Sequence, residues 1–242
     1  MLIESPRHRP DDLALWRRWE AVDVWRGRRI GLKADAARAV LRDFAAAGPC
    51  YAGTSWGKDS TVVTHLAWSS GSDIPAVRVR IEQGENPDTD LARDASLAMM
   101  PGLRYSERIV RARHDAEGWY VRGGITGELR AITHELGGRY VSGIRAAESA
   151  ERALRTLRYG ESTARTCAPI ARWSAADVWS YLAAYDLPVH PAYACTGGGR
   201  WNRDRIRVGP LAIVLHVRPG EVEGEGHGRL IWEREYYGAP MA

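Results

Sequence analysis

The residues best suited to chemistry lie together, at Ser55-Trp56-Gly57-Lys58-Asp59-Ser60. The glycine lets backbone approach a ligand closely, the lysine adds a full positive charge, and the serines offer hydroxyls, a set that suits phosphate or sulfate. Placed between a strand and a helix, the stretch gains the free amides and the dipole of a helix N-terminus. It is not a Walker A loop, which needs Gly-x-x-x-x-Gly-Lys followed directly by Ser or Thr. Here Asp59 follows the lysine, and its carboxylate is expected to orient the loop or a Mg²⁺ ion. Only two of the 34 basic residues are lysines, Lys33 and Lys58, so the one in this stretch stands out. A second anion-binding candidate is Arg145, at the end of a predicted strand, whose planar guanidinium can hold an oxyanion bidentately.

Hydrophobic spacing supplies the elements that would position these residues. Leu15, Trp16, Trp19 and Val22 predict a helix over 11–26, and Ala37, Val40, Leu41 and Phe44 another over 33–47, closed by Gly48-Pro49. A short strand follows at 50–54 and a helix at 60–68. Val77, Val79 and Ile81 alternate with Arg78 and Arg80, the pattern of a half-buried strand. Helices are then expected at 87–100 and 125–136, strands at 105–110, 140–144 and 166–170. A last helix over 174–185 opens with a Ser174/Asp177 capping box. Strands alternating with helices imply parallel pairing through right-handed crossovers. Beyond Pro191, a Gly197-Gly198-Gly199 loop precedes an arginine-rich stretch, Arg200–Arg207. An edge strand is expected at 211–217, and a mobile Gly/Glu-rich segment at 220–228. The expected division is a helical arm at 1–30, a nucleotide-binding domain at 31–193 and an irregular extension at 194–242.

The 242 residues are 45% hydrophobic and 26% charged with a net charge of +4, which excludes collagen-like, disordered and disulfide-scaffold classes. Acidic residues are interspersed among the basic ones, unlike the dense basic clusters of a nucleic-acid wrapper. Cys50, Cys167 and Cys195 are too far apart for a CxxC pair, an arrangement expected of a reducing cytoplasm. No apolar run of about 18 residues occurs, so a cytoplasmic protein with no membrane partner is expected.

Ser-x-Gly-Lys-Asp-Ser after a strand resembles the pyrophosphate-binding loop of the N-type ATP pyrophosphatases. Three further segments narrow the likeness to the PAPS (phosphoadenosine phosphosulfate) reductase family. Gly143-Ile144-Arg145 with Glu148-Ser149 and Arg152 looks like its Gly-x-Arg-x-x-Glu segment. Pro169-Ile170-x-x-Trp173 running into Asp177-Val178-Trp179-x-Tyr181, then Pro191-x-Tyr193, follow in the family's order. The resemblance covers about residues 45–193. It implies the Rossmann-like α/β fold of the adenine nucleotide alpha hydrolases, with about five mainly parallel strands and helices on both faces. It also implies ATP, or PAPS or adenylyl sulfate, as ligand, together with Mg²⁺. Ser55, Trp56, Gly57, Lys58, Asp59, Ser60, Gly143 and Arg145 would contact the nucleotide; Lys58, Asp59 and Arg145 would be catalytic, and Asp59 would hold the metal. Where the family has an Asp-Thr-Gly-like turn, this chain has Glu82-Gln83-Gly84, whose Glu82 would reach a ribose hydroxyl or Mg²⁺.

The sequence departs from the family in its sulfur. Sulfonucleotide reductases use a nucleophilic cysteine in a C-terminal Glu-Cys-Gly-like motif, and many add cysteines for an iron–sulfur cluster. No cysteine follows Cys195 here, and three isolated cysteines cannot furnish four thiolates, so no iron–sulfur cluster is expected. The favoured reading is ATP-dependent adenylyl transfer to an oxygen nucleophile with release of pyrophosphate. One alternative is a sulfonucleotide reductase using Cys195; another is a non-catalytic nucleotide-binding subunit of a larger complex. The Arg200–Arg207 stretch, with Trp201 interleaved, would receive sulfate, a nucleotide or a nucleic-acid backbone, or is simply a solvated basic loop. An exposed tryptophan-rich N-terminal helix would suit a homodimer or a partner subunit. Trp173, Trp179 and Tyr181 are expected in the core, and His65 and His134 have no assigned role.

Overall fold

The computed structural model describes residues 1–111, 113–115, 118–120, 124–215 and 226–238. In chain order the elements are α1 (Pro10–Gly27), α2 (Gly31–Ala46), β1 (Tyr51–Gly53), α3 (Lys58–Ser69), β2 (Ala76–Ile81), α4 (Thr89–Met99), β3 (Tyr105–Val110), β4 (Arg113–Asp115) and β5 (Gly118–Tyr120). There follow α5 (Gly124–Glu135), β6 (Tyr140–Val141), α6 (Ala150–Tyr159), β7 (Thr166–Cys167), α7 (Ala175–Ala184), α8 (Ala212–Leu215) and α9 (Gly226–Tyr237). Five strands form one parallel sheet in the order β3-β2-β1-β6-β7, and β4 with β5 forms a separate antiparallel pair.

The sheet order explains where a ligand can enter. The chain leaves β1 toward β2 on one side and later returns to β6 on the other, so β1 and β6 flank the point where the winding reverses. In open α/β sheets the crevice beyond the strands' C-terminal ends at such a point is the binding site. Alternation along the strands covers both faces. Ala52 of β1 joins Leu41, Val62, Leu66 and Val178 from α2, α3 and α7, whereas Tyr51 and Val77 pack with Ile132 of α5.

Strand β2 is more enclosed than its alternating arginines suggest. Arg78 is buried and paired with Glu85 at 2.7 Å and with Glu107, its cross-strand partner on β3, at 3.2 Å. Arg80 holds Asp90 of α4 through two hydrogen bonds of 3.0 and 3.1 Å. Paired carboxylates let these arginines sit under a helix where lone charges would be costly.

The N-terminal helix does not present a tryptophan face to solvent. Trp16 is buried with its ring edge on Trp179 of α7, 5.7 Å between centroids, although Trp25 stays exposed. Asp12 of α1, wholly buried, accepts hydrogen bonds from the Thr196 amide and hydroxyl, the Gly198 amide and the Tyr236 hydroxyl. That carboxylate ties α1 to the triple-glycine loop and to α9.

Some local expectations fail for tertiary reasons. The edge strand expected at 211–217 is replaced by the short helix α8, because the Ile213 amide is held by the buried Glu233 of α9 at 2.9 Å rather than by a sheet edge. Residues 216 and 217 lie outside the described residues, as do 220–225 of the segment expected to be mobile; 226–228 begin α9. Strands β6 and β7 stop short of 144 and 170, ending at Val141 and Cys167. The helix α6 has no counterpart in the hydrophobic pattern, since Leu154 and Leu157 are exposed. The Ser174/Asp177 capping box forms as expected, and Trp173, Trp179 and Tyr181 are core residues.

Two buried histidines make stability depend on pH. Burial and then Arg38 push His65 down to about 4 from 6.5; burial and then Arg78 push His190 down to about 3. Both are neutral in the native state, so their contribution is intact above the unfolded-state value. As pH falls below it, the unfolded chain binds protons the native state refuses, and stability declines by up to about 1.4 kcal/mol per pH unit for each histidine. Urea unfolding at about pH 7 and about pH 5 should show this loss, and His65→Gln should reduce its slope. An unchanged slope would exclude His65 as a source and leave the loss to His190 and the carboxylates.

Candidate functional site

The segment from Thr54 to Gly57 leaves β1, and α3 begins at Lys58. Trp56 adopts a left-handed φ of 57° and turns its indole inward, where it is buried beside Ala92 and Met100. Its Nε1 donates to the Tyr105 hydroxyl at 3.2 Å. A bulky residue in that conformation is strained, and the indole's burial offsets the cost. Ser60 staples the loop from within: its hydroxyl donates to the Gly57 carbonyl at 3.0 Å and accepts from the Ser55 amide at 3.1 Å. The Ser55 hydroxyl remains on the exposed side. The Tyr193 hydroxyl accepts the Lys58 amide at 3.0 Å, fixing the first residue of the helix.

The charges of the two loops meet at Asp59. Its Oδ1 accepts from Arg145 Nε at 2.6 Å, and its Oδ2 lies 3.0 Å from Lys58 Nζ. Both cations are almost fully buried, with side-chain exposures of 5% for Lys58 and 4% for Arg145. Burial alone would lower the lysine; Tyr193 and Asp59 outweigh it and hold Lys58 above its ordinary value, so the ammonium persists through the neutral range. Lys58 Nζ also lies 5.5 Å from the centroid of the Tyr193 ring. The three groups carry one net positive charge at the start of α3, which favours an anion in front of them. Glu148 completes the second loop by accepting the Arg145 amide at 3.0 Å and pairing with Arg152.

Ser55, Gly57, Lys58, Asp59, Ser60, Gly143 and Arg145 all line one cleft of about 1080 Å³. Trp56 serves as an inward anchor for the loop. Glu82 lies apart from the cleft, its carboxylate on Arg111 at 2.8 Å. The arginine-rich stretch divides. Arg200 pairs with Glu235, and Arg203 pairs with Asp23 at 2.8 Å among Trp16, Trp19 and Trp179, while Arg205 and Arg207 line the cleft. Tyr193 belonged to a recognisable sequence segment with no role attached. Arg130 of α5 and Val208, also in the lining, carried no signal in sequence, because only the folded chain brings them there.

The residues do not build a metal site by themselves. Both Asp59 oxygens already face cations, and among the described residues no three His, Cys, Asp or Glu side chains gather as ligands. A Mg²⁺ ion would have to arrive on the phosphates of a nucleotide. The thiols are equally remote. Cys195 is wholly buried and burial pushes its pKa far up; burial also raises Cys50, and Cys167 is pushed up to about 12 by burial and Cys50.

Comparison with known proteins bears on the same loops. Residues 125–196 match the phosphoadenosine phosphosulfate reductase domain. The chain is similar to PAPS reductases. It is 28% identical over 183 residues to phosphoadenosine 5'-phosphosulfate reductase of Xanthomonas axonopodis pv. citri, covering 69% of this chain and 72% of that protein. The reductase of Xylella fastidiosa is 26% identical over 185 residues, covering 69% and 73%. Among solved structures, a U34-tRNA thiolase of Methanococcus maripaludis with its 4Fe–4S cluster superposes with a TM-score of 0.44 at 13% identity, over 87% of this chain and 82% of that one. That likeness is too loose to compare sites. The domain match contains Gly143, Arg145, Glu148 and Tyr193 and begins after Lys58. No helix among the described residues is long and apolar enough to cross a membrane.

The close packing around the loop is testable. A Cβ on Gly57 would lie 2.9 Å from Val208 Cγ2 and 3.1 Å from the Tyr193 hydroxyl. Gly57→Ala should therefore destabilise the protein by about 1–3 kcal/mol. Thermal unfolding of the single and double variants should show Val208→Ala recovering part of that loss. Additive losses would show that Val208 does not press on the loop.

Proposed function

We propose that the chain catalyses adenylyl transfer from ATP to an oxygen nucleophile, with pyrophosphate as the leaving group. The observation that carries this reading is the buried Lys58–Asp59–Arg145 bridge at the start of α3, beside a cleft with no cysteine in its lining. In the reaction an acceptor oxygen forms a bond to the α-phosphorus, and the bond from that phosphorus to the bridging oxygen breaks. The electron pair leaves with pyrophosphate. The Lys58 ammonium and the positive end of the α3 dipole hold the β- and γ-phosphates, and Arg145 holds the α-phosphate. Asp59 keeps both cations in register. Such catalysis works through positioning and electrostatic stabilisation and needs no covalent nucleophile from the protein. The proposed nucleotide-binding unit is residues 31–193, in a cytoplasmic protein.

The names of the relatives favour a second reading, reduction of a sulfonucleotide. That reaction needs a thiolate at the cleft, whereas Cys195 is buried with its Sγ on the Pro191 carbonyl at 3.9 Å.

Pyrophosphate release from ATP, assayed with candidate oxyanions, tests the first reading. Lys58→Ala and Arg145→Ala should each lower kcat/KM by about 100-fold or more, the usual effect of removing a buried donor to a developing charge. Full activity in Lys58→Ala would refute the assignment. Thiol-dependent sulfite release that is lost in Cys195→Ser would establish the reductase instead.

A further inference from the structure

The conformation of the Ser55–Ser60 loop turns on Trp56, which points away from the cleft. Among the described residues, Trp56 and Asp186 are the only non-glycine residues with a positive φ. A tryptophan held there needs a firm anchor for its side chain, because Cβ crowds the backbone. Part of the anchor is apolar. Ala92 and Met100 are buried with the indole, and Leu97 and Leu103 pack against the same cluster. The rest is polar and directional. The indole Nε1 can only donate, and it donates to the Tyr105 hydroxyl at 3.2 Å. That hydroxyl gives its single proton to Glu107, so a lone pair faces the indole. Glu107 also accepts from Arg78 at 3.2 Å and from Arg93 at 3.4 Å. Burial alone would raise the Glu107 carboxyl; Tyr105, Arg78 and Arg93 outweigh it and hold it below its ordinary value. It is therefore a carboxylate at neutral pH, and each bond from Arg78 through Glu107 and Tyr105 to Trp56 has one direction only.

This chain of bonds starts from a rigid place. Tyr105 opens β3 in register with Ala76 of β2, and Glu107 lies opposite the buried Arg78. Arg78, Tyr105 and Glu107 all lie outside the cleft lining. On the other flank of the loop, the Tyr193 hydroxyl accepts the Lys58 amide from within the cleft. Two tyrosines thus hold the loop, one from each side. Removing only the Tyr105 hydroxyl would keep the ring, 5.3 Å from the indole between centroids, but would strip a buried donor of its acceptor.

We infer that Tyr105 is a positioning residue for the anion loop, acting through Trp56 and itself oriented by the Arg78–Glu107 pair. The inference rests on the reading of that loop as the pyrophosphate site of adenylyl transfer. Tyr105 touches no ligand. It fixes the backbone on which Gly57 and Lys58 meet one, from an edge strand of the sheet.

The test titrates inorganic pyrophosphate into the full chain by calorimetry and follows the Gly57 and Lys58 amides by nitrogen-15 NMR. Tyr105→Phe should shift both amides and weaken pyrophosphate about 5-fold or more. In the Trp56→Phe background the indole donor is already gone. There Tyr105→Phe should change the affinity by less than about twofold. A Tyr105→Phe protein that unfolds at a lower temperature, yet keeps both amide resonances and its pyrophosphate affinity, would make Tyr105 a packing residue and overturn the inference. An equal loss of affinity in the two backgrounds would overturn it as well, because Tyr105 would then act by a route other than Trp56. If the wild type binds no pyrophosphate while Tyr105→Phe still moves the Gly57 and Lys58 amides, the positioning role stands and the pyrophosphate reading of the loop fails.

Discussion

One carboxylate holds together two loops that lie far apart in the chain. Asp59, in the first turn of α3, takes Arg145 on one oxygen and Lys58 on the other, and so locks the loop after β1 to the loop after β6. Two cations this deeply buried would repel each other and lose their hydration without it. With it, the pair keeps one net positive charge at a helix N-terminus, at the edge where the parallel sheet reverses its winding. The sheet supplies the place, α3 supplies the dipole, and Asp59 supplies the register.

The rest of the site is built by close packing around that bridge. Gly143 lies against the Asp59 carbonyl and the Ser60 amide, 3.1 and 3.2 Å from where its Cβ would be, so the second loop touches the backbone of the first turn of α3. Gly57 makes room for Val208 and for the Tyr193 hydroxyl in the same way. These contacts give the two glycines a physical role: a methyl group at either position would push apart surfaces that the charge bridge draws together. Tyr193 adds a hydroxyl acceptor for the helix's first amide and an aromatic face near the Lys58 ammonium. The cleft is thereby preorganised, which is the property electrostatic catalysis requires.

Similarity to PAPS reductases and the proposed adenylyl transfer part company over sulfur. The matched domain contains the arginine loop and Tyr193, both of which line the cleft. A thiolate is the part that would reduce a sulfonucleotide, and the thiols here sit in the core, raised by burial to values that leave them protonated at neutral pH. Shared architecture therefore supports a shared ligand class more firmly than a shared reaction.

The sequence by itself determined the alternation of the five parallel strands with α1 to α5 and α7, the glycine–lysine loop at Ser55 to Ser60, the arginine after β6 and the capping box of α7. Each is a local pattern whose physics needs only neighbouring residues: apolar spacing, a glycine beside a lysine, a serine three residues before an aspartate. The tertiary structure alone decided the partners. It buried Arg78 opposite Glu107, drew Trp16 onto Trp179, and turned 212–215 into a helix held by Glu233. It also sorted one run of arginines into structural ions, Arg200 and Arg203, and cleft-lining ones, Arg205 and Arg207. Asp59 itself was legible as a carboxylate for the loop or a metal, but not as the clasp between two loops. Charge pairing and desolvation depend on distances between residues remote in sequence, and those distances exist only once the sheet has closed around β1.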